Sequence, residues 1–289
     1  MARVSFDVIK SKLPKSRNPL TWFKSDKVKV AVIRFNGVIG RSASRFDKGL
    51  DYESRREAIE EAFETKKLKA VAMLVNSPGG SPAQSHMIAA RIRELADEKK
   101  VPVYAFVEDV AASGGYMLAC AADEIWADPT SILGSIGVVS AGFGFTGLLE
   151  KAGVERRLYT AGRNKAMLDP FSPQKPEDVE HLKALQQQIH EFFIGFVKAR
   201  RGDRLKDDQE DLFTGAFWVG DEAQKRGLID GFGSLDGVLK EKFGDKLSLV
   251  RVGEEKKSWL SSLLFGSALT GADILTAIDH RSRWNRFGL

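Results

Sequence analysis

The fold is decided by one stretch, "KAVAMLVNSPGGSPAQSHMIAARIRELADEKKVPVYAFVEDVAASGGYMLA", which runs from Lys69 to Ala119. It contains an apolar strand, a turn with two glycines, an amphipathic helix, a second apolar strand and a serine followed by two glycines. In the helix, Ile88, Ile92 and Leu95 share one face. This order predicts two parallel strands joined by a crossover helix.

The same alternation continues on both sides of this unit. Upstream, "KVKVAVIRFNGVIG" predicts the strand with which the ordered domain begins, and the spacing of Ile59, Ala62 and Phe63 predicts a helix. Downstream we predict short strands near "EIWAD" and "IGVVSA" and strands at "ERRLYTAG" and "LSLVRV". We predict helices at "FTGLLEKAG", from about Pro176 to Arg200, at "VGDEAQKRGLID" and at "SLDGVLKEKFG". The pattern predicts an α/β fold with a largely parallel sheet covered by helices.

Two turns follow the two strands of the central unit. One is "VNSPGG", from Val75 to Gly80, and the other presents Ser113 ahead of Gly114. Parallel strands bring such turns to one edge of the sheet, where open α/β folds place their sites. The N–H groups of Gly80 and Gly114 could hold an oxyanion, and Ser113 could be a nucleophile favoured by the helix dipole. The same residues also fit a plainer role, because such turns need glycine and serine is a common helix cap.

A nucleophilic serine needs a base near pH 7. The histidines are poor candidates, because none lies between Ser113 and His181 and no local pattern presents one to the serine. We expect all four to be surface or packing residues, namely His86, His181, His190 and His280.

A lysine is the alternative base. Lys165, in "YTAGRNKAMLDPF", has small and apolar neighbours and follows a predicted strand, whereas Lys99 and Lys100 stand in a surface run. A lysine acts as a base only where burial or nearby positive charge lowers its pKa. The residues alone therefore allow Lys165 in this role without requiring it.

The excess positive charge lies at the amino terminus. The formal net charge is +5, and residues 1–27 account for all of it with seven basic and two acidic side chains. Apolar residues such as Phe6, Trp22 and Phe23 are interleaved with them, so this arm could lie on an anionic membrane surface, and the alternative is a solvated tail. The rest of the chain is near neutral without a recognised nucleic-acid motif, so we expect no nucleic-acid partner.

The sequence offers little for a membrane span or a metal. It has no uninterrupted apolar run of about 18 residues and no secretory leader, which predicts a cytoplasmic or peripherally membrane-associated protein. The apolar stretch from Ser258 to His280 is interrupted by glycines and an aspartate, as is typical of an interfacial or partner-binding helix. A single cysteine, Cys120, excludes an internal disulfide, and no zinc-site pattern is present.

Four motifs carry a family resemblance between about Val28 and Leu249: "VNSPGGS", "VAASGGYMLA", "ILGSIGVV" and "YTAGRNKAMLDPF", in this order. With them the chain resembles the signal peptide peptidase A family of serine–lysine peptidases, short form, which SohB-like proteins also represent. The resemblance implies a Clp protease/crotonase-like fold and an endopeptidase without metal or cofactor. Its substrates would be apolar peptides, such as released signal peptides or membrane-derived fragments.

The resemblance also implies residue roles. Ser113 would be the nucleophile and Lys165, 52 positions downstream, its general base. Gly80 and Gly114 would supply the oxyanion-hole N–H groups, and Ser135 would orient the lysine. Members form ring-like homo-oligomers, which implies an assembly such as a tetramer or octamer, and in short members the lysine can reach the serine of a neighbouring protomer. This chain departs from the family in carrying a basic arm where members usually have a membrane anchor, and "GGYM" where relatives often have two tyrosines.

We therefore predict a basic arm at 1–27, a peptidase domain at 28–253 that takes peptide substrates, and an apolar and basic tail at 254–289, with membrane contact through either terminus. Two other functions stay open. A crotonase-like acyl-CoA enzyme would also hold an oxyanion on glycine N–H groups, but gives no reason for Ser113 and Lys165 to act together. A catalytically silent scaffold would bind peptides or a membrane through its termini.

Overall fold

The computed structural model describes residues 27–41, 49–206, 210–253, 278 and 281–289. The predictions for the basic arm, residue 27 excepted, and for nearly all of the apolar stretch 258–280 lie outside these residues. Within the described ranges, no helix is both long and apolar enough to cross a membrane.

Strands and helices alternate along the chain as predicted. The strands are β1 (Val28–Asn36), β2 (Leu68–Ser77), β3 (Val103–Ala112), β4 (Glu124–Ala127), β5 (Ile132–Gly134), β6 (Phe217–Val219), β7 (Gly231–Phe232) and β8 (Leu247–Val252). The helices are α1 (Tyr52–Phe63), α2 (Pro82–Lys99), α3 (Gly114–Ala119), α4 (Thr146–Lys151), α5 (Pro176–Arg201), α6 (Gly220–Lys225) and α7 (Leu235–Phe243). Residues 281–285 form a further helical turn near the carboxyl terminus.

One strand prediction is wrong, and another strand lies slightly earlier in the chain than its motif. At "IGVVSA" the strand ends earlier, at Gly134, because Ser135 takes a left-handed φ of 52° and turns the chain away from the sheet. "ERRLYTAG" has no regular structure and is exposed throughout. A strand needs a hydrogen-bonding neighbour, and none of the described strands pairs with these residues.

The described strands form one mixed sheet whose main order is β6-β5-β3-β2-β1-β8, with β4 pairing both β3 and β7. The pairings are parallel apart from β5 with β6, which is antiparallel. The central strands β1, β2 and β3 are apolar on both faces because both faces are covered. The predicted α/β class with a largely parallel sheet is therefore confirmed.

Helices cover the two faces unequally. On one face α1, α2, α3 and α5 enclose the larger core, in which Met73 packs with Ile88 and Ile92 of α2. On the other face α7 places Leu235 and Leu239 over the amino-terminal half of the central strands.

The last residues of the chain cover the carboxyl-terminal half of the second face. There Phe287 is buried and packs with Val110 and Ala112 of β3, and its ring lies 5.0 Å from that of Phe217 in β6. The carboxyl terminus thus rests on the strand that leads to Ser113.

Candidate active site

The two predicted turns meet at the carboxyl edge of the sheet. β2 and β3 are parallel neighbours, with Val75 opposite Val107 and Ser77 opposite Ala111. A methyl group in place of a Gly79 hydrogen would lie 2.8 Å from the Ser113 Cβ and 2.9 Å from the Gly114 nitrogen. Since real Cβ contacts are longer than this, only glycine fits at position 79 without movement of the backbone.

Ser113 has an unusual backbone for a residue with a side chain. It occupies the N-cap position of α3 with φ 52° and ψ −122°, yet its hydroxyl makes no capping hydrogen bond. Ser113 precedes a helix of only six residues, so the helix dipole stabilises negative charge there less than the sequence indicated. The plainer reading of Ser113 as a cap is therefore not realised in the structure.

The N–H groups of Gly80 and Gly114 lie close together and are available. A Cβ built on Gly114 would lie 3.4 Å from the Gly80 nitrogen and would overlap the Ser85 hydroxyl. Among the described residues, neither N–H donates a hydrogen bond to another group. Two free donors beside a serine are what the stabilisation of an oxyanion requires.

The loop after β1 fixes the Gly79–Gly80 turn, which the sequence did not indicate. The Ile39 N–H donates to the Gly79 carbonyl at 2.9 Å, and the Ser81 N–H donates to the Ile39 carbonyl at 2.8 Å. The Ser77 hydroxyl donates to the Gly37 carbonyl at 2.7 Å and accepts from the Gly79 N–H at 3.2 Å. These bonds arrange the turn before any ligand arrives. The glycine-rich "NGVIG" was the only sequence signal of the loop that makes them.

Ser135 lies at the end of the strand next to the Ser113 strand. It is 5% exposed, and its N–H donates to the Ala216 carbonyl at 2.6 Å. The Gly137 N–H donates back to the Ser135 carbonyl at 2.9 Å, which closes a tight turn. A left-handed φ at a buried serine costs free energy and persists only where its surroundings hold it.

Lys165 lies on an exposed turn of the chain. Among the residues that the structure describes, no hydrogen bond or ion pair joins it to Ser113 or Ser135. A lysine that acts as a general base needs burial. Lys165 therefore lacks this burial in the single chain.

The histidines occupy three kinds of environment. His86 packs edge-on against Phe192 at 4.8 Å between ring centres, and His181 is exposed. His190 is half-buried, and its Nε2 lies 3.1 Å from the Ile136 carbonyl, next to Ser135. His280 lies outside the described residues.

A buried polar network holds the far end of α3. Arg201 is 2% exposed and makes two hydrogen bonds to Asp230, at 2.7 and 3.1 Å. The Tyr116 hydroxyl donates to the Leu228 carbonyl at 2.8 Å, and burial raises the pKa of Tyr116 well above its usual value. Burial likewise raises the pKa of the Cys120 thiol to about 11.

Arginines also cover the carbonyls of the residues that directly follow α3. Arg200 donates to the carbonyls of Cys120 at 2.9 Å and Ala122 at 3.1 Å, and Arg93 donates to that of Ala121 at 3.2 Å. Cations at a helix carboxyl end satisfy its free acceptors. The helix that begins beside Ser113 is thereby anchored at its other end.

The chain is similar in sequence to known peptidases. The sequence profile of peptidase family S49 matches residues 95–247. The chain is 32% identical over 247 residues to the putative signal peptide peptidase SppA of Enterococcus faecium, covering 82% of this chain and 70% of that protein. A further relative is the Na(+)/H(+) antiporter NhaA of Brucella abortus (strain 2308), 46% identical over 280 residues that make up 92% of this chain. This chain spans only 38% of the length of that relative, whose name describes the longer protein.

The fold is similar to that of a solved peptidase. A lysine-to-alanine mutant of the 1510-N membrane-bound stomatin-specific protease, in complex with a substrate peptide, superposes with a TM-score of 0.50 and 16% identity. The match covers 87% of this chain and 99% of that one. At this identity the likeness shows the fold alone, and it confirms the Clp protease-like class.

Proposed function

This chain belongs to peptidase family S49 and is a serine peptidase, and from that premise we propose that Ser113 is its nucleophile and Lys165 its general base. One observation carries the proposal. Ser113 has a left-handed backbone and an uncapped hydroxyl beside the N–H groups of Gly80 and Gly114, which are free among the described residues. This arrangement favours peptide-bond hydrolysis over acyl-CoA chemistry or a silent scaffold.

The backbone of Ser113 fits a nucleophile. Strained serines on sharp strand-to-helix turns present their hydroxyl at the sheet edge in other hydrolases. Here β3 ends at Ala112 and α3 begins at Gly114, so Ser113 alone makes the turn. Close packing with Gly79 stabilises a conformation that would otherwise cost about 1–3 kcal/mol.

Gly80 and Gly114 supply the oxyanion hole in this proposal. Their N–H groups come from two different strand-to-helix turns, and the bonds from Ile39 and Ser77 hold the first turn in place. Donors fixed in advance need no rearrangement when negative charge develops, which makes them effective in lowering the barrier.

Lys165 then has to come from a neighbouring protomer. A lysine acts as a general base only in a desolvated site, and the single chain leaves Lys165 exposed. The lysine segment, residues 138–175, is exposed along most of its length. Several of its apolar side chains are exposed to solvent: Val139 is 74% exposed, Phe143 82% and Tyr159 90%. Exposed apolar surface of this extent is typical of a protein interface. We infer a ring-like homo-oligomer, in which Ser135 helps to orient the incoming lysine.

The lysine segment has internal structure of its own. The Phe145 N–H donates to the Pro170 carbonyl at 2.7 Å, and the Phe145 and Phe171 rings stack at 5.4 Å. The Arg156 guanidinium lies 5.5 Å from the centre of the Phe171 ring. A segment held in this way can present Lys165 to a second chain in a defined position.

Catalysis follows in two stages. The Ser113 oxygen attacks the scissile carbonyl carbon while its proton passes to the Lys165 amine, and the oxyanion is held by the two glycine N–H groups. Collapse breaks the C–N bond, and the lysine returns the proton to the leaving amine. Water then gives a proton to the lysine, attacks the ester carbonyl and releases the acid, after which the serine recovers its proton.

The substrates in this proposal are extended apolar peptides. The Enterococcus relative is named a putative signal peptide peptidase, and the structural neighbour holds a substrate peptide. Released signal peptides and other membrane-derived fragments have the matching chemistry.

Mixing inactive chains tests the proposal. Ser113→Ala and Lys165→Ala should each lower kcat for an apolar fluorogenic peptide by about 10,000-fold. Lys151→Ala, a lysine of the same segment, is the matched control and should retain activity. When the two inactive chains are dissociated, mixed and reassembled, sites that combine an intact serine with an intact lysine should restore part of the activity.

Each contrary outcome has a separate meaning. Full activity of either single variant would overturn the dyad. Two inactive variants whose mixture stays inactive, although mass measurement shows mixed oligomers, would place the lysine in the same chain as its serine.

A further inference from the structure

His190 contacts the turn at residues 134–137, which lies between the strand paired with the Ser113 strand and the lysine segment. Its Nε2 lies 3.1 Å from the Ile136 carbonyl, 54 positions away in sequence. A carbonyl oxygen only accepts, so this nitrogen carries the proton and donates. No other residue of the described α5 makes a hydrogen bond to this turn.

The turn reaches the serine on one side and the lysine segment on the other. The Ser113 N–H donates to the Gly134 carbonyl at 2.8 Å, immediately before the turn. After Gly137 the chain continues into the lysine segment. Because the proposed base comes from a neighbouring protomer, a shift of residues 135–137 would move Ser113 in its own site and also the lysine segment that this chain offers to the next protomer.

The turn is strained and needs external support. Ser135 has a left-handed φ of 52°, which is costly for a residue with a side chain, whereas the φ of 108° at Gly134 is open to glycine. The Ala216 carbonyl holds the Ser135 N–H, and His190 holds the Ile136 carbonyl. Loss of either partner frees the turn to relax towards an unstrained backbone.

α5 holds His190 in a rigid position. His190 stands three residues before Phe193, on the helix face that Phe193, Val197 and Arg201 bury. Arg201 lies about 17 Å further along the helix and belongs to the network that anchors α3. α5 therefore contacts α3, which follows Ser113, and also the turn that precedes the lysine segment.

We propose that His190 is a positioning residue of this peptidase: its hydrogen bond to the Ile136 carbonyl fixes the turn that supports Ser113 on one side and leads into the lysine segment on the other. This inference rests on the proposed function. His190 does not touch the reacting atoms, and its effect passes through the backbone of residues 134–137.

The test separates the hydrogen bond from the bulk of the side chain. His190→Leu keeps volume and loses the donor, whereas His190→Gln keeps an N–H donor at similar reach. We expect His190→Leu to lower kcat by roughly 10- to 100-fold with little change in KM, because small misplacements of catalytic groups have effects of this size. His190→Gln should recover most of the loss. His181→Gln on the exposed part of the same helix is the control and should match the wild type.

Thermal unfolding, measured on every variant, distinguishes positioning from a general loss of structure. We expect His190→Leu to lose kcat while its thermal unfolding midpoint stays at the wild-type value. Should that variant not fold, His190→Ala replaces it as the donor-free form. Wild-type kcat in a folded donor-free variant, or a folded His190→Gln as impaired as the donor-free form, overturns the inference. Ser113→Ala is assayed in parallel, because its activity would overturn the proposed function instead.

Discussion

The Ser113 N–H donates a 2.8 Å hydrogen bond to the carbonyl of Gly134. This bond continues the parallel ladder of β3 and β5, in which Ala112 faces Gly134. The chain leaves the sheet at neighbouring points on both strands, first at Ser113 and then at Ser135, both with a φ of 52°. Two strained serines side by side at one sheet edge indicate a site whose geometry the surrounding packing maintains.

Replacing Gly80 by alanine should damage catalysis. The new Cβ would overlap the backbone oxygen of Ile39, and the φ of 153° at this position is unfavourable for any side chain. The turn would have to move, taking the Gly80 N–H away from the proposed oxyanion hole. We expect kcat to fall by about 100- to 1,000-fold, as for the loss of one oxyanion donor.

Gly195→Ala in α5 is the control for this experiment. Its Cβ would meet no atom within 4 Å, and alanine favours the helix by about 0.5–1 kcal/mol over glycine. Steady-state kinetics of both variants measure the effect on catalysis, and urea unfolding measures the effect on stability. A Gly80→Ala enzyme with wild-type kcat would exclude Gly80 from the oxyanion hole.

Asp230→Asn should destabilise the protein and change its response to acid. Burial alone would raise the pKa of Asp230, but hydrogen bonds and charge from Arg201 outweigh this and hold the pKa below its usual 3.8. A carboxyl with a lowered folded-state pKa stabilises the fold above about pH 4 and loses that contribution as the pH falls through the folded value. Removal of one partner of such a buried pair costs about 3–5 kcal/mol.

Urea unfolding at pH 7 and at pH 3 measures both effects. The wild type should lose stability between these pH values, and Asp230→Asn, already weakened at pH 7, should lose less. Asp245→Asn removes an exposed partner of Lys240 and should change stability by under about 1 kcal/mol. Equal stability of the Asp230 and Asp245 variants at pH 7 would contradict the structural role of the Arg201 pair.

Cys120 should be unreactive in the folded protein. It is fully buried, and burial raises its thiol pKa to about 11, so very little thiolate exists at pH 8. Iodoacetamide at pH 8 should therefore leave the native protein unlabelled and label it fully in urea, with glutathione as the reference thiol. Native labelling at the glutathione rate would show that the α3 end is open to solvent.

The sequence predicted those parts of the fold that local patterns determine. Strands apolar on both faces and a helix between β2 and β3 follow from side-chain burial within each element, and so does the meeting of the Gly80 and Ser113 turns. Contacts between backbones far apart in sequence leave no such pattern. The Ile39 bond to Gly79 and the His190 bond to Ile136 are of this kind, because almost any residue can supply a carbonyl.

The site itself was predictable only in part. The motifs pointed to Ser113 and the glycines, but the exposure of Lys165 depends on how the chain folds around it, and the local sequence does not encode that directly. "ERRLYTAG" was predicted as a strand because its composition suits one, yet pairing partners decide whether a strand forms.

The carboxyl terminus should contribute to stability through Phe287. This side chain is 8% exposed and packs on Val110 and Ala112, immediately before Ser113. Its truncation to alanine should lower the free energy of unfolding by about 3 kcal/mol, at the lower limit for a core phenylalanine because the site lies at the sheet surface. Leu289→Ala, at a position 41% exposed, should have little effect. Urea unfolding of the two variants is the measurement, and equal stabilities would mean that the last residues do not rest on β3 in solution.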